Sequence, residues 1–227
     1  KELEYLSQLE PERLLHSFYV QAGLTPSAPA YDGWEQTQIK GHTLGHYLTA
    51  LCQAQQTMGK PWIFDRIDSI LQALLTCQRE DGYLFASEES LFDALEQGKP
   101  AWVPWYTMHK LLDSLCCAAR TPGHESTALW IARRLGDWVA SRVLAWDDAT
   151  QKRVLAVEYG GMNDAMYQLY DLTKDPRHLE AAHRFDETWL FEPLAEGKDI
   201  LNGRHANTTI PKLLGAVRRY LVLGQPK

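Results

Sequence analysis

A similar turn recurs along the chain at intervals of about 50–60 residues, each time between two segments with helical apolar periodicity. Glycine and proline end helices, and a very short turn makes the helices on either side antiparallel neighbours. No segment shows the alternating pattern of a strand. The chain is therefore predicted to be all-α and built from helical hairpins. The turns are Gly59-Lys60-Pro61, Thr121-Pro122-Gly123, Lys174-Asp175-Pro176 and Gly224-Gln225-Pro226-Lys227.

The hairpins account for most of the 227 residues. Residues 1–40 are predicted to form an N-terminal arm and a loop, and residues 41–227 about three and a half hairpins. A short additional helix is expected over residues 90–97. We expect one domain that forms part of an (α/α)6 toroid, that is, about half of a larger six-hairpin barrel. The predicted helices cover residues 41–58, 61–77, 106–120, 124–144 and 161–172, a returning helix through Leu179, Ala182, Phe185 and Trp189, and a last helix that starts near Thr208.

Histidine, asparagine, glycine and aromatic residues cluster where the first helix of each hairpin begins. In an open solenoid they would be spread along one face, whereas a closed toroid brings them together around a central pocket. Neutral imidazole offers one hydrogen-bond donor and one acceptor, and flat aromatic rings pack well against the C–H faces of sugars. The pattern favours a sugar-binding site. The candidate residues are Trp34, His42, His46, Tyr106, His109, Glu158, Asn163, His205 and Asn207.

Several of these candidates have a second interpretation. His42 and His46 lie four residues apart, which is the spacing of a zinc-binding pair, but the glutamate of an HExxH motif is missing. Asn163 is equally suited to capping a helix. Glu158 is the best carboxylate for a pocket, and no obvious second carboxylate accompanies it, although glycoside hydrolysis usually uses two.

The tryptophans also have two interpretations, because each could belong either to the sugar site or to the hydrophobic core. Trp34, Trp102 and Trp105 stand near the predicted pocket, where their rings would pack against a sugar. The alternative is that several of them are core residues. Trp138 and Trp189 are assigned to the core by their helical spacing.

Charge and cysteine content narrow the functional classes. The formal net charge is -6 with Lys and Arg scattered, which argues against a nucleic-acid partner. No apolar run approaches the roughly 18–20 residues that cross a bilayer, so no membrane partner is predicted. The first residue is Lys1 rather than methionine, so the sequence does not identify the cellular compartment of the protein.

The four cysteines fit neither a disulfide framework nor a metal knuckle and are predicted to be buried free thiols. They are Cys52, Cys77, Cys116 and Cys117.

Four of these stretches together resemble glycoside hydrolase family 127, the β-L-arabinofuranosidases, and the related family 146. The resemblance extends over nearly the whole chain, from Tyr5 to Lys227, and its motifs occur in order. The motifs are Gly41-His42-Thr43-Leu44-Gly45-His46-Tyr47-Leu48, Tyr106-Thr107-Met108-His109-Lys110, Glu158-Tyr159-Gly160-Gly161-Met162-Asn163 and His205-Ala206-Asn207-Thr208-Thr209-Ile210-Pro211-Lys212.

The resemblance implies an (α/α)6 catalytic domain that removes terminal β-L-arabinofuranose from an L-arabinofuranosyl glycan with retention. In the family, a cysteine nucleophile is held on a zinc ion by further cysteines and a glutamate, and a separate glutamate is the acid/base. Those residues lie in the second half of the family's barrel. We therefore assign no catalytic or metal-binding residue to this chain and expect it to be inactive alone, without the C-terminal half of its domain. The best candidates for hydroxyl contacts are His109, His205 and Asn207.

Two other functions remain open from the residues alone. A sugar epimerase with a toroidal fold would exchange protons through histidines such as His42, His109 and His205. A non-catalytic helical-repeat module would bind protein along a concave face and would have no affinity for sugar. For this chain we also expect exposed apolar surface and association, because its inner helices lack some of their packing partners.

Overall fold

The computed structural model describes residues 1–224, which contain twelve α-helices and no strand. This confirms the all-α prediction. Of the last predicted turn, residues 225–227 lie outside the described part of the chain. The helices are α1 (Glu2–Gln8), α2 (Pro11–Gln21), α3 (His42–Met58), α4 (Pro61–Cys77), α5 (Ser90–Glu96), α6 (Pro104–Ala118), α7 (Glu125–Val143), α8 (Asp148–Leu155), α9 (Met162–Thr173), α10 (Pro176–His183), α11 (Thr188–Ala195) and α12 (Ala206–Leu223).

The long helices form two packed layers. Helices α3, α6, α9 and α12 pack side by side in an inner layer, and α2, α4, α7 and α10 pack side by side in an outer layer. Each of the pairs α3–α4, α6–α7 and α9–α10 is a hairpin with one helix in each layer. The predicted repeat of helical hairpins is therefore confirmed, and the arrangement is that of part of an (α/α)6 toroid.

The residues at the turns explain where these helices begin and end. Proline occupies the first turn of α4, α6 and α10, where its missing N–H costs no intrahelical hydrogen bond. Gly59 ends α3 in the left-handed region, with its N–H bonded to the carbonyl of Gln55. Lys174 ends α9 in the same conformation, and the Asp175 side chain then caps α10 by accepting the N–H of Arg177.

The third hairpin departs from the prediction. The returning helix stops at His183, and a separate helix, α11, starts at Thr188. This break resets the helical register, so Trp189 is 49% exposed rather than part of the core, which corrects its assignment. Helix α8, capped by the side chain of Asp147, was also not anticipated because its sequence is short and polar.

An aromatic cluster underlies the start of α6. Trp105 is fully buried, so it is a core residue and not the pocket residue that the sequence suggested. Its ring packs edge-on against Phe92, Trp146 and Phe185 at centroid distances of 4.8–5.6 Å. This cluster joins α5 and the end of α7 to α6, and it fixes the position of the residues just before and after Trp105.

Helices α3 and α6 approach closely because α3 carries a glycine at their contact. A Cβ atom on Gly45 would overlap the backbone of Lys110. Glycine at this position therefore brings the first turns of the two helices together, and with them His42, His46, Tyr106 and His109. None of the helices in residues 1–224 combines the length and apolar character needed to cross a membrane.

Candidate functional site

Three inner helices begin beside one another. The residues that precede α3, α6 and α9 are Gly41, Val103 and Gly161, and none of them caps its helix with a side chain. The first N–H groups of a helix have no intrahelical partner and carry the positive end of the helix dipole. The positive ends of these helices therefore favour oxygen atoms that accept hydrogen bonds. A cluster of side chains lies beside them, which we call the histidine pocket: His42, His46, Tyr106, His109, Lys110 and Glu158.

The first wall of the histidine pocket comes from α3. His42 is buried, and its Nδ1–H donates to the carbonyl of Ile39 at 2.7 Å, so its Nε2 is an acceptor when the ring is neutral. The ring of His46 lies edge-on to that of His42 at a centroid distance of 5.9 Å. Tyr106 of α6 lies 6.0 Å from His42 on the other side. The spacing of the two histidines on one helix face, as predicted, brings them together.

His109 of α6 packs against two glycines at the start of α9. The N–H of Gly161 donates to Nδ1 of His109 at 3.0 Å. Gly160 adopts φ +61°, and a Cβ atom there would lie 2.6 Å from the same nitrogen. The paired glycines are thus explained by the close approach of backbone to an imidazole.

Glu158 and Lys110 bring opposite charges to the same place. The Oε1 atom of Glu158 is buried and has no hydrogen-bond partner among the described residues. Burial and the nearby Glu158 carboxylate raise the pKa of Tyr106. Burial lowers the pKa of Lys110, while Asp113 and Glu158 act against that shift. Lys110 belongs to one of the sequence motifs but was not predicted to be a site residue. Its position next to His109 in the sequence could have indicated it.

Two histidines of the pocket, His46 and His109, have a lowered pKa and are neutral near pH 7. Burial lowers the pKa of His109 well below the usual value, and the charge of Lys110 adds to the effect. His46 keeps much of its surface exposed, yet partial burial and then Lys110 and His42 lower its pKa to about 4. Because Nδ1 of His109 accepts a backbone N–H, the proton of its neutral ring is on Nε2. The pocket thus offers a donor from His109 and an acceptor from His42.

Asn163 has a packing role. Its side chain is completely buried, and its amide nitrogen donates to the carbonyl of Lys212 at 3.0 Å. Gly215 of α12 lies directly against the Asn163 amide. The residue therefore joins α9 to α12 and does not face the histidine pocket.

His205 and Asn207 are both exposed at the start of α12, and the side chain of His205 contacts Thr208 at 2.9 Å. His205 lines a second cavity, of about 990 Å³, between α8, α11 and α12. Trp34 is also exposed, and its ring lies next to that of Trp102 rather than among the histidines.

The second cavity contains groups that the sequence did not reveal. A buried ion pair joins Lys212 to Glu187 at 2.6 Å, and the Lys212 ammonium lies 4.4 Å from the ring centre of Tyr159. Arg204 stacks over Trp189 at 4.6 Å. These residues come from four separate segments, so only the folded chain brings them together.

A cysteine-bound zinc ion, which the family resemblance implies for the complete domain, does not fit the residues described. Within residues 1–224, Asp137, Asp175 and His178 are the one group of three potential ligands whose atoms lie within 4.8 Å of one another. This group has no thiolate. Both ring nitrogens of His178 are already engaged, Nδ1 with Thr173 at 2.8 Å and Nε2 with Asp137 at 3.2 Å.

All four cysteines are free, and Cys52, Cys77 and Cys116 are buried as predicted, whereas Cys117 is half-buried. Cys116 is completely buried, and burial raises the pKa of its thiol. It is therefore not a nucleophile that a sugar could reach.

Comparison with known families identifies the chain. The family model that describes the catalytic domain of β-L-arabinofuranosidases, GH127, matches residues 1–227. The chain belongs to the GH127 family. The four motifs quoted above and the layered helical hairpins are thus features of a GH127 catalytic domain.

Solved structures agree on the fold. A GH127 β-L-arabinofuranosidase from Geobacillus stearothermophilus T6 superposes with a TM-score of 0.57 at 18% identity, covering 90% of this chain and 33% of that one. A second GH127 β-arabinofuranosidase, BT3674, gives a TM-score of 0.64 at 16% identity, covering 98% of this chain and 38% of that one. The GH127 chain described here therefore spans little more than a third of these structures. None of the curated proteins matches it.

Proposed function

We propose that this GH127 chain supplies the sugar-binding wall of a glycoside hydrolase that removes terminal β-L-arabinofuranose residues. Membership of the family supports the class of substrate. The observation that carries the place of binding is the pair of buried histidines with opposite hydrogen-bond roles, His109 through Nε2–H and His42 through its Nε2 lone pair.

A sugar hydroxyl group needs this kind of pairing, because it both donates and accepts. The buried and unpartnered Oε1 atom of Glu158 would accept a hydrogen bond from a sugar hydroxyl group, and an unpaired buried carboxylate oxygen is costly without such a ligand. Tyr106 supplies an aromatic face beside His42. Together these groups would hold a small neutral ring rich in hydroxyl groups.

The proposed role of these residues is to position the sugar. His109 and His42 fix the orientation of the sugar, and burial beneath α3 and α6 excludes water from its inner face. No nucleophile, acid/base or metal ligand is assigned within the chain. The thiols of Cys52, Cys77 and Cys116 are buried, so a sugar cannot reach them.

The proposal is tested with the natural protein and 4-nitrophenyl β-L-arabinofuranoside. We expect release of L-arabinose with retained configuration at the anomeric carbon, and NMR spectroscopy monitors this release. His109→Ala should weaken L-arabinose binding roughly threefold to tenfold, because it removes a buried donor. His16→Ala, on the outer helix α2, is the matched control and should bind normally.

Two outcomes would contradict the proposal. An epimerised sugar without hydrolysis would point to proton exchange at carbon. Absence of any affinity for L-arabinose would point to a helical-repeat module that binds another class of ligand.

A further inference from the structure

Two tryptophans lie side by side on the surface. Trp34 is 57% exposed and Trp102 is 45% exposed, and their ring centroids are 6.0 Å apart. Trp34 lies in a short 3-10 helix, Gly33–Gln36, and Trp102 lies more than sixty residues later in the loop before α6. Single exposed apolar residues are common, but an adjacent pair of the largest aromatic side chains marks a binding surface.

The backbone around Trp34 is held firmly although its ring is free. The next residue, Glu35, is buried, and its Oε2 atom accepts the N–H of Gly41 at 2.8 Å. The Thr37 hydroxyl donates to the carbonyl of Trp34 at 2.8 Å. The Trp34 ring is therefore presented by a fixed short turn immediately before α3.

Trp102 is held in place by a strained residue and a side-chain contact. Its backbone N–H donates to Oε1 of Gln38 at 2.7 Å, which joins the segment before α6 to the segment before α3. Val103 has φ 42° and ψ 49°, a left-handed conformation that a β-branched residue rarely adopts. Such strain persists where the surroundings enforce it and is frequent at binding sites. Here the turn places Trp105 in the core and leaves Trp102 outside.

A groove lined mainly by polar side chains adjoins the pair. Its volume is about 550 Å³, and Gln38, which bonds to Trp102, is part of its wall. Gln36, Lys40, Ser87 and Glu88 supply further amide, charged and hydroxyl groups. A sugar residue combines an apolar C–H face with hydroxyl groups, which is the combination that tryptophan rings and a polar groove together accommodate.

We propose that Trp34, Trp102 and this groove form a second saccharide subsite. It would bind a sugar residue of the glycan beyond the one held in the histidine pocket. The position supports this, because Trp102 lies just before α6, and that helix contributes Tyr106 and His109 to the pocket. The inference rests on the proposed function and adds the recognition of an oligosaccharide rather than a single sugar.

The test compares ligands of different length by isothermal titration calorimetry on the natural protein. The probes are L-arabinose and a β-linked L-arabinofuranosyl trisaccharide. Trp34→Ala and Trp102→Ala should each weaken trisaccharide binding roughly threefold to tenfold and leave L-arabinose binding unchanged. Trp130→Ala removes a tryptophan that is 56% exposed on the outer helix α7 and should change neither affinity.

Conservative variants protect the test against a local folding defect. Trp34→Phe and Trp102→Phe retain an aromatic face and should retain most of the trisaccharide affinity. The subsite is refuted if the alanine variants bind the trisaccharide as tightly as the unchanged protein, or if they lose both ligands equally. If the unchanged protein bound neither sugar, both the proposed function and the proposed subsite would be refuted.

Discussion

The backbone N–H of Gly161 donates a 3.0 Å hydrogen bond to Nδ1 of His109, and so joins the start of α9 to α6. A backbone amide can only donate, so this bond fixes the proton of the neutral imidazole on Nε2. Burial keeps the ring neutral by lowering its pKa. One contact thus sets the position and the hydrogen-bond role of the central pocket residue.

Replacement of Gly160 should lower the free energy of unfolding by more than the strain of its left-handed backbone conformation alone. Gly160→Ala places a Cβ atom 2.6 Å from Nδ1 of His109 in a residue with φ +61°. Gly59→Ala is the matched control, because Gly59 has φ +58° and open space around it. We expect a loss of about 1–2 kcal/mol for the control and about 1–3 kcal/mol more for Gly160→Ala, measured by urea unfolding. Equal losses would show that the packing against His109 is unimportant.

The buried ion pair between Lys212 and Glu187 should be sensitive to loss of one partner. Their side chains are 8% and 1% exposed, and the nitrogen–oxygen distance is 2.6 Å. Lys212→Met would leave a buried carboxylate unpaired and should cost about 3–5 kcal/mol in chemical denaturation. The double variant Glu187→Gln with Lys212→Met should recover most of that loss. A double variant less stable than Lys212→Met would contradict this account.

Stability should fall when the pH is lowered below about 6.5. The unfolded chain takes up protons on histidine near pH 6.5. Folded His46 resists protonation until about pH 4, and folded His109 has a pKa well below the usual value. The unfolded state therefore binds more protons in this window, so stability is complete above pH 6.5 and declines towards pH 4.

Thermal unfolding between pH 7.5 and 4.5 measures this decline. His109→Gln should flatten it, because glutamine can still accept the N–H of Gly161 but has no imidazole to protonate. The comparison is made against the unchanged protein, since burial also lowers the pKa of His124 and His178. A variant with an unaltered slope would show that His109 does not contribute.

The 227-residue chain should associate in solution through α12. Ile210, Leu214, Val217 and Leu221 follow one helix face, and each is more than half exposed. Sedimentation velocity should reveal dimers or larger species at micromolar concentration, and Leu214→Glu should reduce them. A single monomeric species from the unchanged chain would refute this prediction.

Much of the fold and part of the site followed from periodicity and turn residues. The first two hairpins are local features, because glycine and proline stop helices through their own backbone geometry. The grouping of His42, His46, Tyr106, His109 and Glu158 was also foreseen, since residues at equivalent ends of neighbouring helices must lie close together. The roles of these residues in binding remain proposals.

The break after His183 could not be foreseen, because an apolar spacing that continues across a bend still looks periodic. It moved Trp189 from the core to the surface. The burial of Asn163 depended on where Gly215 of α12 packs, and these residues are fifty-two positions apart. Sequence spacing carries no information about such a contact.

The sequence by itself determined the class of fold, the family and the helix ends from which a pocket is made, because each of these depends on local pattern and residue type. Only the tertiary structure decided which residues share the pocket. It placed His205 at a cavity between α8, α11 and α12, buried Trp105 while it exposed Trp102, and paired Lys212 with Glu187. The reason is that burial and hydrogen-bond partners arise from the packing of distant helices, which the chain defines only when it is folded.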